Sequence, residues 1–301
     1  MTHPARTAHL ARIKSRLSIH AHRKVRGLLE GDYAAIHVGR GIDFNDLREY
    51  VRGDDVKDID WKASARSRQV LVRRYVAERK HTVQLCISTG RSMAAMNDAS
   101  VSKRDLAVFV AGVMGLLAVQ HGDLVSLVHG DAERHHATPA KGGEVHLERL
   151  LMAAHEAITP EGPAADLAGL LRHVVRTVRR RTILVVISDE TSISAASADL
   201  LRRLTVQHEV LFLTIGDIDP TQPAVADRRL VDVDTSAEVP GWLRHDKALR
   251  RELAVLVGEE VQQLQRRLDQ LGVVHERVRD TDSAITAVHR LLERHRHARR
   301  R

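Results

Sequence analysis

The sequence has few of the residues that disulfide frameworks and base-stacking platforms require. Its 301 residues include two Trp, three Tyr, three Phe and a single Cys. One cysteine, Cys86, excludes an intramolecular disulfide and is typical of a reducing compartment, so we expect a cytoplasmic protein. Because Cys86 lies in the apolar run VQLCIS, we predict a buried strand thiol and not a reactive one.

Long hydrophobic runs are also missing. The longest, from Ala107 to Val119, falls well short of the roughly 20 residues that a transmembrane helix needs, and is interpreted as a buried helix. The N-terminal stretch MTHPARTAHLARIKSR is basic but has no apolar segment of the kind found in secretory signals. We therefore expect no membrane span.

Positive charge is in excess, with 47 Lys and Arg against 39 Asp and Glu and a net charge of +8. Clustered cations bind nucleic acid by releasing counterions from the phosphates. The basic runs, however, lie on separate segments (Arg23–Arg26, Arg172–Arg181 and the C-terminal ERHRHARRR), with few aromatic residues to stack on bases. This distribution favours solvated helix faces over a nucleic-acid interface.

Apolar strands alternate with amphipathic helices from about Thr82 onward. Buried strands are predicted at TVQLCIS, DLVSLVHG, TILVVIS, HEVLFLTIG and VVHERV. Helices are predicted at 101–120, 144–157, 166–178, 246–271 and from 282 onward, and we expect the helix over 246–271 to pack on the core. This alternation predicts a doubly wound α/β domain with a mainly parallel, Rossmann-like sheet.

The region before Thr82 differs in pattern. Apolar residues at helical spacing between Thr7 and Leu29 predict an amphipathic helix pair or one bent helix, which packs on the segment that follows or serves as a partner helix. That segment, residues 39–79, mixes charges of both signs with isolated apolar residues and is predicted to be folded. We call it the front module. The predicted domains are residues 1–78, helical segment plus front module, and residues 79–301, the α/β domain with C-terminal helices.

The front module closely resembles the signature of the domain-of-unknown-function family 58. The shared pattern is G-x-DF-x-x-x-R-x-Y-x-x-GD-x-x-x-x-IDWK-x-SAR, carried by Gly41, Phe44, Arg48, Tyr50, Gly53, Asp54, Ile59, Asp60, Trp61, Lys62, Ala65 and Arg66. A von Willebrand factor A-like sequence follows, and the resemblance covers nearly the whole chain. It implies a von Willebrand factor A-like fold and a MoxR-type AAA+ ATPase as partner, but no reaction.

Two interpretations of the front module stay open, and the structural one is favoured. In it, Asp54 or Asp55 caps a helix over DVKDIDWKASAR, and Trp61 buries its ring against the main domain. The same interpretation pairs Asp58 with Lys62 across one helical turn.

The functional interpretation makes the front module a docking face for another protein. Arg48, Lys62 and Arg66, set among Asp54, Asp60 and Glu49, would form it. The planar guanidinium fork of arginine suits the recognition of carboxylates. The candidate binding or signature residues are Arg48, Tyr50, Asp54, Asp60, Trp61, Lys62 and Arg66.

A second candidate site is the pocket at the carboxyl ends of the strands, where open α/β sheets bind their ligands. Its candidate residues are Ser88, Gly90, Arg91, Ser92 and Asp189. The von Willebrand A-like resemblance implies a metal-ion-dependent adhesion site at this position, built from D-x-S-x-S, a Thr and an Asp.

This chain departs from that metal-binding pattern. Ser88 stands in place of the first Asp, Gly90 in place of the first Ser, and Ala165 in place of the Thr, whereas Ser92 and Asp189 match. The affinity of a hard cation follows the charge count of its oxygen ligands, so we expect no cofactor, Mg²⁺ included. Our hypothesis is that Arg91 supplies the positive charge that a metal would provide.

Enzyme motifs are absent from the sequence. It contains no G-x-S-x-G elbow, no P-loop and no G-x-G-x-x-G turn, and we assign no catalytic residues. The pairs His20-x-His22, His135-His136 and His295-x-His297 lack zinc-site spacing and are predicted to be surface histidines. We predict a non-enzymatic protein-interaction domain, an adaptor or chaperone-like partner of the ATPase. The alternatives are a metal-dependent (Mg²⁺) ligand-binding domain and a basic nucleic-acid-binding protein.

Overall fold

The computed structural model describes residues 8–20, 23–38, 46–51, 53–56, 59–67, 69–74, 80–97, 101–190, 193–220, 225, 227–242 and 246–298. The N-terminal elements are α1 (His9–His20), α2 (Arg23–Val38), β1 (Asp46–Glu49), α3 (Trp61–Ser67) and β2 (Leu71–Arg74). The elements that follow are β3 (Thr82–Ser88), α4 (Lys103–Gln120), β4 (Leu124–Gly130), β5 (His135–Lys141), α5 (Glu144–Ala157), α6 (Leu167–Thr177), β6 (Ile183–Asp189), α7 (Ala195–Gln207), β7 (Glu209–Ile215), α8 (Lys247–Gln270), β8 (Val274–Val278) and α9 (Thr281–Ala298). The predicted boundary near residue 78 lies outside the described residues.

The central sheet has the strand order β5-β4-β3-β6-β7-β8. All neighbouring strands pair in parallel except β5, which runs antiparallel to β4 at one edge. The chain winds outward from β3 in one direction and from β6 in the other, so the carboxyl ends of these two strands flank the topological switch point. The predicted doubly wound, mainly parallel α/β fold is confirmed.

Both faces of the sheet are covered, which explains the near-continuous apolar runs of its strands. Leu85 and Val185 contribute to a core shared with α1, α2, α4, α5 and α9. Cys86 and Val186 face the opposite side, in a core shared with α6, α7 and α8. Cys86 is fully buried, and this burial raises the pKa of its thiol to about 12, so the prediction of an inert strand thiol is confirmed.

The N-terminal segment forms a pair of helices, which is one of the two forms that the sequence predicted. It packs on the α/β domain through α4, α5 and α9, a contact that neither of the predicted alternatives included. The contact is tight: a Cβ atom at Gly112 of α4 would lie 2.1 Å from Cδ1 of Ile13. Tyr33 of α2 is buried and its hydroxyl donates a hydrogen bond to Asp123 at 2.9 Å. Helices α1 and α2 therefore complete the main core.

Helices α4 and α8 differ in how far they enter the core. Most of α4 is buried, as its apolar run predicted. Of α8, only Leu264 and Leu268 are buried, whereas Val255 and Leu256 are more than half exposed. The expectation of core packing along α8 therefore holds only for its C-terminal half. Within the described part of the chain, no helix is both long and apolar enough to cross a bilayer.

Strand β5 and helix α7 were not predicted from the sequence. Strand β5, HHATPAK, carries a proline and few strong strand formers, and its pairing with β4 shifts register between Val125 and Leu127. Of the histidines predicted to lie at the surface, His136 is exposed, His135 is only partly exposed, and His295 of α9 is buried. His136 stacks on His129 at a centroid distance of 5.2 Å, and the half-buried His135 stacks on His173 at 5.4 Å.

Candidate functional site

The strand-end pocket begins where β3 ends. Ser88, the last residue of this strand, is 1% exposed, and the chain continues through Gly90 into a 3-10 turn over Arg91–Ala94 that buries Ser92. The hydroxyls of Ser88 and Ser92 are buried and have no hydrogen-bond partner among the described residues. Buried polar atoms normally find partners, so these hydroxyls distinguish the pocket from ordinary core.

The loop before α6 closes on this turn. The backbone N–H of Arg91 donates to the carbonyl of Pro163 at 2.8 Å. A Cβ atom at Gly90 would lie 2.3 Å from both the Cα and the backbone N of Ala165. The two positions at which a metal site would carry hydroxyl ligands are thus in direct backbone contact, which leaves no room for a serine side chain at position 90.

A buried lysine occupies the centre of the pocket. Ser102 caps α4 by accepting a hydrogen bond from Asp105 N, and Lys103 is the first residue of the helix. The Lys103 side chain is 2% exposed, and its ammonium forms a close ion pair with the carboxylate of Asp217. Asp189, at the end of β6, lies 3.9 Å from the same ammonium. Buried charges require such pairing, so the three residues form one electrostatic unit.

A second ion pair lies beside this unit. Arg277 of β8 donates to the Glu190 carboxylate through Nε and, at 2.8 Å, through Nη2. Glu190 also accepts the backbone N–H of Asp217 at 3.1 Å, which fixes the loop after β7. Partial burial raises the pKa of Asp217, and the neighbouring Lys103 opposes this shift.

Arg91 is not paired with Asp189 among the described residues. Its Nε lies 3.5 Å from Oδ1 of the partly exposed Asp234 and forms no hydrogen bond among the described residues. The hypothesis did not foresee Lys103, whose ammonium contacts Asp189, and a contribution from Arg91 stays a prediction. The sequence offered one signal, because a lysine in the first turn faces the positive end of the helix dipole and needs a compensating anion. Asp217 follows the strand run HEVLFLTIG directly, which places it at the same sheet edge.

The residues of the pocket do not fit a bound Mg²⁺ ion. An ammonium already pairs with the carboxylates that a cation would need, and Gly90 cannot be replaced by a hydroxyl ligand. Across the described ranges, no group of three or more His, Cys, Asp or Glu side chains is arranged to hold a metal ion.

The front module folds around a two-stranded antiparallel ribbon. Strands β1 and β2 pair from Asp46–Arg74 to Glu49–Leu71, and Ile59 forms a further bridge with Val72. The Tyr50 backbone N–H extends this ladder by donating to the Val70 carbonyl at 2.8 Å. Arg48 lies in β1. The signature residues before Asp46, together with Asp58, fall outside the described residues.

The signature aspartates of the front module have local structural roles. Asp60 caps α3 by accepting the N–H groups of Lys62 at 3.1 Å and Ala63 at 3.0 Å. Asp54 accepts the Val51 N–H at 2.9 Å in a turn. Helix α3 therefore begins at Trp61, and the predicted cap at Asp54 or Asp55 was wrong.

Trp61 is not buried against the main domain, which corrects the favoured interpretation of its ring. It is 65% exposed, and neighbouring apolar residues are exposed as well. These are Leu47, Tyr50, Val51, Val56 and Val70. Lys62 and Arg66, one helical turn apart on α3, are also exposed. The module thus presents apolar and cationic side chains to solvent together.

Similar sequences occur in mycobacteria. The chain is 30% identical over 242 residues to an uncharacterized protein of Mycobacterium bovis, a match that covers 79% of this chain and 74% of the relative. Uncharacterized proteins of two Mycobacterium tuberculosis strains match to the same extent. The family model described as protein of unknown function DUF58 matches residues 46–263.

Three solved structures have a related arrangement of strands and helices. The PilB minor pilin of Streptococcus sanguinis has a TM-score of 0.45 and 9% identity over 76% of this chain and 64% of that chain. An aerotolerance-related membrane protein of Bacteroides fragilis has a TM-score of 0.43 and 14% identity, with 71% and 99% covered. The von Willebrand factor type A protein of Catenulispora acidiphila has a TM-score of 0.41 and 10% identity, with 76% and 44% covered. These similarities do not bear on function, and the fold assignment rests on the strand order.

Proposed function

Since the chain belongs to the DUF58 family, we propose that it is a non-enzymatic protein-interaction domain that serves as an adaptor or chaperone-like partner of a MoxR-type AAA+ ATPase. The observation that carries this proposal is the 65% exposure of Trp61 within the family signature. A buried tryptophan would have a structural role in the core. An exposed tryptophan on a short helix buries its apolar surface only when another molecule covers it.

The surroundings of Trp61 suit a protein partner. Interfaces are enriched in Trp, Tyr and Arg, and a few such residues contribute most of the binding energy. Trp61 and Tyr50 provide apolar anchors, and Lys62 and Arg66 provide charge beside them. Cations of this kind favour a partner surface that carries carboxylates, because charge complementarity accelerates association and fixes orientation.

The internal hydrogen bonds of the front module support a docking role for these side chains. Ser64 donates to the Asp60 carbonyl at 2.7 Å and accepts the Leu71 N–H at 2.8 Å, which ties α3 to β2. Because Asp60 and Ser64 already fix the backbone of α3, the exposed side chains of Trp61 and Arg66 are available to a partner. A rigid element of this kind lowers the entropy cost of binding.

Of the alternatives, the metal-dependent one is disfavoured by the Lys103 ion pairs and the Gly90 contact described above. Nucleic-acid binding would need a continuous basic surface with stacking groups. The front module also carries the acidic Glu49, Asp54 and Asp60, and mixed charge suits a protein partner better than a phosphate backbone.

The test is a binding titration between the purified full-length chain and a purified MoxR-type AAA+ ATPase from the same genome, with and without EDTA. We expect Trp61→Ala to weaken the affinity at least tenfold, since truncation of a central aromatic anchor costs about 2 kcal/mol or more. Lys62→Glu combined with Arg66→Glu should slow association, most strongly at low salt.

The matched control is Trp242→Ala. Trp242 is 66% exposed but lies outside the front module, so its truncation should leave affinity unchanged. Equal loss in both tryptophan variants would point to a general surface effect and oppose the proposal. Absence of binding by the wild-type chain would remove the ATPase as partner, and retention on DNA with a steep salt dependence would favour the nucleic-acid alternative.

A further inference from the structure

The strand-end pocket contains a positive charge that the chain itself provides. Lys103 belongs to the loop and helix that follow β3, whereas its two partners come from the ends of β6 and from the loop after β7. Three separate segments thus converge on one ammonium. Only 2% of the lysine side chain is accessible, so the ammonium is removed from bulk water and, among the described residues, pairs with these two carboxylates.

The surroundings of this ammonium resemble those of a cation site. Asp189 and Asp217 supply negative oxygens, and the hydroxyls of Ser88 and Ser92 lie at the same sheet edge without hydrogen-bond partners among the described residues. The Asn97 side-chain oxygen is also buried without such a partner, while its amide donates to the Gly216 carbonyl at 2.6 Å. Oxygens of these kinds are the donors that hard cations select.

The register of the sheet places these groups together. Strands β3 and β6 are adjacent and parallel, with Ile87 opposite Ile187, so Ser88 and Asp189 end neighbouring strands. Asp217 follows the end of β7, the next strand along, and Ser92 lies in the turn that leaves β3. The ammonium reaches this edge from the first turn of α4.

We infer that Lys103 is the resident cation of this pocket, a covalently attached replacement for the divalent ion of a metal-ion-dependent adhesion site. The ammonium neutralises Asp189 and Asp217 and joins the loops that a metal would join. The pocket is therefore assembled at all times, and its structure does not vary with the concentration of Mg²⁺. This inference does not rest on the proposed ATPase partner, because it concerns the charges within the pocket.

Replacement of the lysine by a neutral residue removes this positive charge from Asp189 and Asp217 and creates a latent divalent-cation site. Two variants test this, Lys103→Ala, which also opens space, and Lys103→Met, which keeps the length of the side chain. Each full-length variant is purified in EDTA and titrated with Mn²⁺, followed by electron paramagnetic resonance of the free ion and by thermal melting. The wild-type chain is titrated in parallel.

We expect the wild type to leave Mn²⁺ free at millimolar concentrations and to melt at the same temperature with the ion and with EDTA. Both lysine variants should melt several degrees lower in EDTA, and Lys103→Ala should recover part of this loss on addition of Mn²⁺. Mn²⁺ binding should be at least tenfold tighter in Lys103→Ala than in the wild type. A variant that folds only in the presence of Mn²⁺ supports the inference equally.

The control is the double variant Lys103→Ala, Asp189→Asn. It removes one of the carboxylates and should neither bind Mn²⁺ nor recover stability. Stoichiometric Mn²⁺ binding by the wild type would overturn the inference, because the pocket would then accept a metal beside the lysine. Lysine variants whose melting and Mn²⁺ binding do not respond to the ion would overturn it as well, and so would rescue that persists in the double variant.

Discussion

The carboxylate of Glu148, on α5, accepts the backbone N–H of Leu10 at 2.8 Å and also that of His9 at 2.7 Å. These N–H groups belong to the first turn of α1, where no intrahelical carbonyl is available. A residue 138 positions away along the chain therefore caps the N-terminal helix. The bonds are charge-assisted and oriented along the helix dipole, which strengthens them.

Removal of this long-range cap should loosen α1. We expect Glu148→Ala to lower the free energy of unfolding by about 1 to 2 kcal/mol, by analogy with the loss of other capping side chains. Hydrogen exchange of α1 amides should accelerate more than that of β6. Glu148→Gln keeps an acceptor oxygen and should lose less, so equal destabilisation by both substitutions would contradict the capping role.

Gly90 should tolerate no side chain, because Ala165 occupies the space that a Cβ atom needs. Gly90→Ala is expected to destabilise the fold by about 2 to 3 kcal/mol, the usual cost of overpacking where backbone must shift. Urea denaturation measures the change. Gly258→Ala, in α8, is the matched control: its new methyl group meets nothing within 4 Å, and the gain in helix propensity should stabilise by about 0.5 to 1 kcal/mol.

Asp60 should stabilise the front module through its capping hydrogen bonds and not through its negative charge. Asp60→Ala removes the acceptor for Lys62 N and Ala63 N, and should cost about 1 kcal/mol of stability in the front module. Asp60→Asn retains a capping oxygen and should cost much less. Limited proteolysis within residues 46–74 reports on the module directly, and equal cleavage of all three chains would argue against the cap.

Acid should destabilise the protein through His129. Burial, together with the charge of its stacked neighbour His136, lowers the pKa of this histidine to about 4, although Asp131 acts in the opposite direction. The unfolded chain, with a pKa of 6.5, binds a proton that the folded chain refuses. The stabilising contribution is therefore complete above pH 6.5 and is lost progressively between pH 6.5 and about 4.

The measurement is urea denaturation at pH 7 and pH 5. At 1.36 kcal/mol per pH unit, this one histidine should account for a loss of about 2 kcal/mol between pH 6.5 and pH 5. His129→Gln cannot take up the proton and should reduce the pH dependence by that amount. Identical pH dependence in wild type and variant would show that the ring is protonated without cost in the folded state.

The strands could be predicted from the sequence because burial on both faces leaves a strong apolar signal. Thr82–Ser88 was located to the residue, and β6 and β7 to within one position. The signal fails at β5, whose edge position requires no apolar run. It fails also at α8, where leucines at helical spacing continue beyond the part that meets the core.

The pocket was harder to predict than the sheet. The strand-end rule located Ser88, Ser92 and Asp189, because it depends only on topology. It could not locate Lys103, which lies 15 positions beyond Ser88 and enters the pocket by the fold of an intervening turn. Trp61 was misjudged for a related reason: a large aromatic is usually buried, and only the fold shows that nothing in the described part of the chain covers it.

The proline in β5 limits how this protein can associate with others. Pro139 has no N–H group to offer, and the register shift beside it bends the outer strand of the sheet. An additional strand from another molecule would find neither a straight edge nor a full set of donors there. At this edge of the sheet, contacts with a partner are therefore expected from side chains and loops, and not from continuation of the backbone hydrogen-bond ladder.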